Sequence, residues 1–208
     1  MTFPDFFDQA PTLTLRDPLA AFLGSSEGGL MTYCYGDAVR LAGHSCPVVA
    51  GAYLMSRAGL SWLYEDELPE RGNVEVHFRA ERDEGNTGVF AAVATLLTGA
   101  AAEAGFRGIG PACRFRRRDL LFFGASIEGV MGLRRRDTGK GVLLDLNTES
   151  VPHDPRMASL MPRAVAGAAG PAEMGTFGTL WQDRVRRMLL DHADDPKFIH
   201  VYDWSTRP

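Results

Sequence analysis

The sequence predicts an α+β fold in which helices pack on a mixed β-sheet. Three observations indicate this class: apolar residues follow helical spacing over 48–65, they alternate with polar residues over 73–79, and short apolar segments separated by glycines follow residue 119. The 208 residues are 45% hydrophobic and 23% charged, a balance typical of a globular protein with one substantial core. We expect a single domain, residues 1–208, with its core at about 20–150 and a helical C-terminal extension at about 151–208.

The elements follow from these patterns in chain order. A short helix should end near Gly43, and a longer, mostly buried helix should begin at Pro47, because proline suits the first helical turn. The alternation over 73–79 predicts a half-exposed strand with His77 on its exposed side. An Ala-rich helix ended by glycines should lie within 83–106. Three short strands are then expected in "DLLFFGA", "GVMGLRRR" and "GKGVLLDLN", followed by proline-punctuated helices that pack on the core.

Charge and composition limit the classes of partner. A net charge of −4 argues against a general nucleic-acid-binding protein, which needs a basic surface. The N-terminal segment lacks a basic region before its apolar residues, and no run approaches the roughly 20 apolar residues of a membrane-spanning helix. Three cysteines, an odd number at wide spacing, suit a reducing compartment. We therefore expect a cytoplasmic protein that binds a small-molecule substrate or cofactor, with no nucleic acid and no membrane as partner.

The segment "GHSCP" carries the candidate chemistry, because it places His44 and Cys46 two residues apart. The pair is compatible with a metal clamp, a haem-binding Cys-Pro, a nucleophile with its base, or a turn with a buried thiol. Cys46 precedes the predicted helix start at Pro47, and a helix N-terminus stabilises a thiolate. Imidazole and thiolate are ligands that zinc prefers. His77 and Cys113 are candidates to complete such a site.

Two arginine runs, "RFRRR" at 114–118 and "LRRR" at 133–136, flank predicted strands. Guanidinium groups could bind an anionic substrate or an acidic partner. Solvated strand ends are the commoner explanation of such local charge runs.

The segments "LAGHSCPVVAGAYLMSRAGL" and "TGVFAAVATLLTGAAAEAGFRG" resemble the formylmethanofuran dehydrogenase E-subunit family and its stand-alone bacterial relatives. The resemblance covers residues 41 to about 110 and implies an α+β core like that of the E-subunit, a zinc-type metal near the His-x-Cys turn, and a homodimer. Only His44 and Cys46 match the ligand motif. Ala42 stands where family members often have a second histidine, and the C-terminal zinc ribbon of paired cysteines is absent.

These observations together predict a cytoplasmic protein that binds zinc or another divalent transition metal through His44 and Cys46. A metal-dependent enzyme of unknown substrate is compatible with such a site, because an open zinc position polarises a carbonyl or activates water. The alternative is a non-catalytic accessory protein that handles haem or metal through the Cys46-Pro47 turn.

Overall fold

A computed structural model describes residues 3–204, and in this part of the chain six α-helices and seven β-strands form. The helices are α1 (Pro18–Phe22), α2 (Tyr35–Ala42), α3 (Pro47–Tyr64), α4 (Thr87–Thr98), α5 (Met157–Val165) and α6 (Pro171–Arg186), which a π-helical turn, Arg187–Asp191, continues. The strands are β1 (Leu13–Arg16), β2 (Leu30–Tyr33), β3 (Val74–Phe78), β4 (Leu121–Phe122), β5 (Met131–Arg135), β6 (Gly141–Leu146) and β7 (Ile199–Asp203).

The main sheet has five strands in the order β4-β3-β5-β6-β7. Strands β3 and β4 pair in parallel, and the other neighbours pair antiparallel. Strands β1 and β2 form a separate antiparallel pair. Because the main sheet mixes both pairings and carries helices, the predicted α+β class with a mixed sheet is confirmed.

Helix α3 is the central helix of the core and packs against β5, β6, β7 and α4. Most of its residues are buried, which agrees with its all-round apolar sequence. Gly59 lies directly against the sheet, where an added Cβ would come within 2.6 Å of Leu133 and 2.9 Å of Leu144. The close approach of helix and sheet therefore depends on a residue without a side chain at this position.

Several sequence expectations agree with these bounds. The helix over 48–65 and the strand over 73–79 are confirmed, and the short helix ends at Gly43, whose φ of 78° is left-handed. The helix expected within 83–106 occupies Thr87–Thr98 only, because Gly99 adopts a left-handed conformation and ends it.

Other parts of the structure were not expected from the sequence. Neither the β1-β2 pair nor β7 was predicted, and β7 places a strand of the C-terminal segment at the edge of the main sheet beside β6. The expected helices of this segment are present, and α6 with its π-helical turn contacts α3. No helix within residues 3–204 is long and apolar enough to cross a membrane.

Candidate functional site

The residues between α2 and α3 form a tight connection, here called the 43–46 turn. Gly43 caps α2 in a left-handed conformation, and its N–H donates to the Val39 carbonyl at 2.8 Å. Cys46 is the N-cap of α3, and Pro47 occupies the first helical position. A glycine and a proline thus fix both ends of the turn, as their conformational preferences require.

His44 lies on the exposed surface of this turn. Its Nδ1 is 3.0 Å from the carbonyl oxygen of Ala42. Because a carbonyl only accepts, this contact requires the proton on Nδ1 and leaves Nε2 with a free lone pair in the neutral ring. The same arrangement, with one ring nitrogen bonded to a carbonyl, orients histidines that bind metals through the other nitrogen.

Cys46 differs from His44 in its surroundings, since its residue surface is only 8% exposed. Its Sγ accepts a hydrogen bond from the N–H of Val49 at 3.5 Å. The sulfur therefore takes the place of the oxygen that serines and aspartates supply at a helix N-cap. The expected position of Cys46 at a helix N-terminus is confirmed, and its ionisation state remains a prediction.

Ser45 joins the 43–46 turn to two other helices. Its hydroxyl donates to Oε1 of Gln182 at 2.9 Å and lies 2.9 Å from the hydroxyl of Tyr35. Its carbonyl accepts from Nε1 of Trp181 at 3.3 Å and from Nε2 of Gln182 at 3.1 Å. Burial raises the pKa of Tyr35 above its usual range, so this phenol remains a donor. The turn is consequently held against α6 at a fixed position.

A cavity of about 440 Å³ opens beside the turn. Its apolar wall comes from α2 and from the N-terminal segment, and its polar edge carries His44, Ser45, Arg40 and Gln182. Cys46 is not part of the lining. An apolar cavity with a few polar groups on one side is typical of small-molecule sites.

The donor atoms for a metal are fewer than the sequence led us to expect. Within residues 3–204, no three His, Cys, Asp or Glu side chains lie close enough together to hold a metal ion. His44 and Cys46 therefore supply at most two protein ligands. The structure does not bring the candidate completing residues, His77 and Cys113, to this turn.

The expectation that His77 is exposed is wrong. Its ring stacks on Phe122 with centroids 4.6 Å apart, and the Trp204 ring lies nearly perpendicular to it with centroids 5.1 Å apart, so that the residue is only 8% exposed. Trp204 follows β7. Because this strand was not predicted from the sequence, the burial of His77 against Trp204 was not predicted either. Cys113 lies exposed in the arginine-rich loop before β4.

Sequence reasoning identified the turn but missed the side chains that fix it. Gln182 is 137 positions from Ser45. No local pattern links residues at this separation, although the serine inside "GHSCP" was itself a polar group with an unassigned partner.

No protein-family model matches the sequence, and no curated protein matches it. Among solved structures, the chain is similar to a tungsten formylmethanofuran dehydrogenase E-subunit-like (FmdE-like) protein from Syntrophus aciditrophicus. The two are 16% identical, the similarity covers 85% of this chain and 74% of that chain, and the TM-score is 0.43. A similarity of this size does not establish that the chain belongs to that family.

Proposed function

We propose that this chain is a small-molecule-binding protein whose site is the cavity beside the 43–46 turn. We further propose that a zinc-like divalent ion, held by His44 and Cys46, belongs to the site. The observation that carries the proposal is the bond from Nδ1 of His44 to the Ala42 carbonyl, which leaves Nε2 available at the edge of a 440 Å³ cavity.

Different residues of the chain would have different roles in this site. The apolar wall would exclude water from a bound ligand, while the amide of Gln182 and the guanidinium of Arg40 offer a hydrogen bond and a positive charge at the edge. Arg40 also forms an exposed ion pair with Asp37 at 2.7 Å. Ser45 keeps His44 in place by its bonds to α6.

The donor set fits a metal only in part. Thiolate and imidazole are good zinc ligands, and Sγ of Cys46 lies at the start of α3, where it accepts a hydrogen bond from the N–H of Val49. Two protein ligands leave the rest of a tetrahedral shell to water or to the bound small molecule. An ion held in this way would polarise a carbonyl or activate a water molecule.

Elemental analysis of protein purified without a polyhistidine tag tests the metal directly. We expect His44→Ala and Cys46→Ser each to reduce the zinc content severalfold. Cys34→Ser and His200→Ala are the matched controls, because Cys34 caps α2 and His200 lies exposed on β7. Stoichiometric zinc that survives both His44→Ala and Cys46→Ser would end the metal proposal.

The alternative of a haem- or metal-handling accessory protein receives less support. An axial haem ligand must face a pocket of the cofactor's size, and Cys46 is buried and does not line the cavity beside the turn; a single ion bound between His44 and Cys46 needs no such pocket. The absorbance spectrum of the purified protein separates the two hypotheses, since haem absorbs visible light and zinc does not. The homodimer and the cytoplasmic location remain predictions, and light scattering measures the former.

A further inference from the structure

The two arginine runs of the sequence meet at one cavity on the side of the protein where β3 begins. Arg116 and Arg117 come from the loop before β4, Arg136 follows β5, and Arg71 precedes β3. The cavity measures about 450 Å³ and shares no lining residue with the cavity beside the 43–46 turn. Four arginines are among its lining residues, and Glu70 is the single acidic residue among them.

A buried carboxylate holds two of these arginines. Asp17, which is 4% exposed, accepts from Nη2 of Arg117 at 2.6 Å and from Nη1 of Arg71 at 3.0 Å. Arg71 also donates to the carbonyl of Leu96 at 3.2 Å, at the end of α4. Asp17 and Glu70, together with Asp119 at 3.8 Å from Arg116, are three carboxylates against the four arginines of the cavity, so that an excess of one positive charge remains.

Arg117 has a donor that the described part of the chain does not satisfy. The residue is 7% exposed, and its Nε has no hydrogen-bond partner among residues 3–204. A buried N–H without an acceptor is costly, and the residue that carries it lines the cavity. Gly72 makes room for the group, because a Cβ there would overlap Nη1 of Arg117.

We propose that this cavity, here called the arginine cavity, binds a small anion that carries phosphate or carboxylate groups. Guanidinium groups match the geometry of both anions by paired N–H donors. Arg117 and Arg71 form the fixed part of the site, since Asp17 and the Leu96 carbonyl orient them. Arg116 and Arg136, which are more exposed, would contact the anion from two different segments of the chain. This proposal is independent of the metal proposed at the 43–46 turn.

Titration calorimetry in phosphate-free, low-salt buffer tests the arginine cavity, with pyrophosphate and citrate as separate probes. We expect saturable binding of at least one probe with a Kd below about 5 mM. Tighter binding of pyrophosphate would identify a phosphate ligand, and tighter binding of citrate a carboxylate ligand. Arg116→Gln and Arg136→Gln should each weaken binding about tenfold, as expected for the loss of one charge-assisted contact.

Arg163→Gln is the control for a general loss of positive charge, because Arg163 is exposed on α5 and does not line the cavity. The proposal fails if neither probe binds, or if Arg163→Gln weakens binding as much as the two cavity variants do. Cys113 provides a second measurement on the unaltered cavity, since it is exposed and lies in the cavity wall. A bound anion should slow its reaction with a negatively charged thiol reagent, and an unchanged rate at saturation would place the anion elsewhere and refute the proposal.

Discussion

Replacement of Asp17 should reveal how strongly the buried charges near the arginine cavity depend on one another. Asp17→Asn removes the negative charge but keeps a residue that caps α1 well, whereas Asp17→Ala removes the charge and the bonds to the N–H groups of Leu19 and Ala20. The change leaves Arg117 buried without its counter-charge. Breaking a buried ion pair in this way costs about 3 to 5 kcal/mol.

The lower end of that range applies here, because the Arg71 side chain is 21% exposed and water can solvate part of its charge. We therefore expect Asp17→Asn to lower the free energy of unfolding by about 3 kcal/mol. Asp17→Ala should lower it by about 1 kcal/mol more, for the lost helix cap. In a chain of this size, 3 kcal/mol corresponds to a fall in Tm of about 6 to 12 °C.

The loss of stability caused by Asp17→Asn should also depend on pH. Burial alone would raise the pKa of Asp17, but Arg117 and Arg71 overcome this effect and hold the pKa below its ordinary value of 3.8. A lowered pKa stabilises the folded state above the unfolded value, and the stabilisation is lost as the pH falls through the folded value. The difference between wild type and Asp17→Asn should thus be constant near neutral pH and shrink below about pH 4.

Urea unfolding followed by circular dichroism measures the free energy of unfolding of each variant and its dependence on pH. The buffer must contain no phosphate, because phosphate bound in the arginine cavity would add negative charge beside Arg117. The reasoning is refuted if Asp17→Asn lies within about 1 kcal/mol of wild type at neutral pH, because the ion pair would then contribute no more than an exposed one.

Two further predictions concern the backbone near these sites. Gly72→Ala should destabilise the protein by about 2 kcal/mol more than Gly139→Ala, since both glycines have a left-handed φ but only the former would press a Cβ against Arg117; equal losses of stability in thermal unfolding would contradict this. Ser45→Ala should cost about 1 to 3 kcal/mol because it leaves the buried Tyr35 hydroxyl without its acceptor. Tyr35→Phe combined with Ser45→Ala should then cost less than the sum of the single changes, and strict additivity would argue against the bond.

The parts of the fold that the sequence predicted are those with a clear local pattern. Helix α3 has eighteen residues, a proline at its start and an apolar sequence, and β3 alternates over its whole length. Strand β1 alternates as β3 does but has only four residues, and β2 and β7 have four and five residues with a less regular pattern, so these short strands depend on their partners. The pairing of β7 with β6 joins residues about fifty to sixty positions apart. A local pattern of apolar and polar residues carries no information about such distant partners.

The same distinction applies to the two candidate sites. The 43–46 turn was predictable because Gly43 and Pro47 are local signals of a helix end and a helix start. The arginine cavity was not, since the burial of Arg117 depends on Asp17, one hundred positions earlier. Within the run "RFRRR", Arg116 and Arg118 pair with the exposed carboxylate of Asp119, at 3.8 and 3.3 Å, and both remain half-exposed. Arg117 lies between them and is buried because its guanidinium meets a buried carboxylate. Charge density along the sequence therefore indicates a basic surface, and the position of a single distant aspartate decides which arginine of the run is buried beside the cavity.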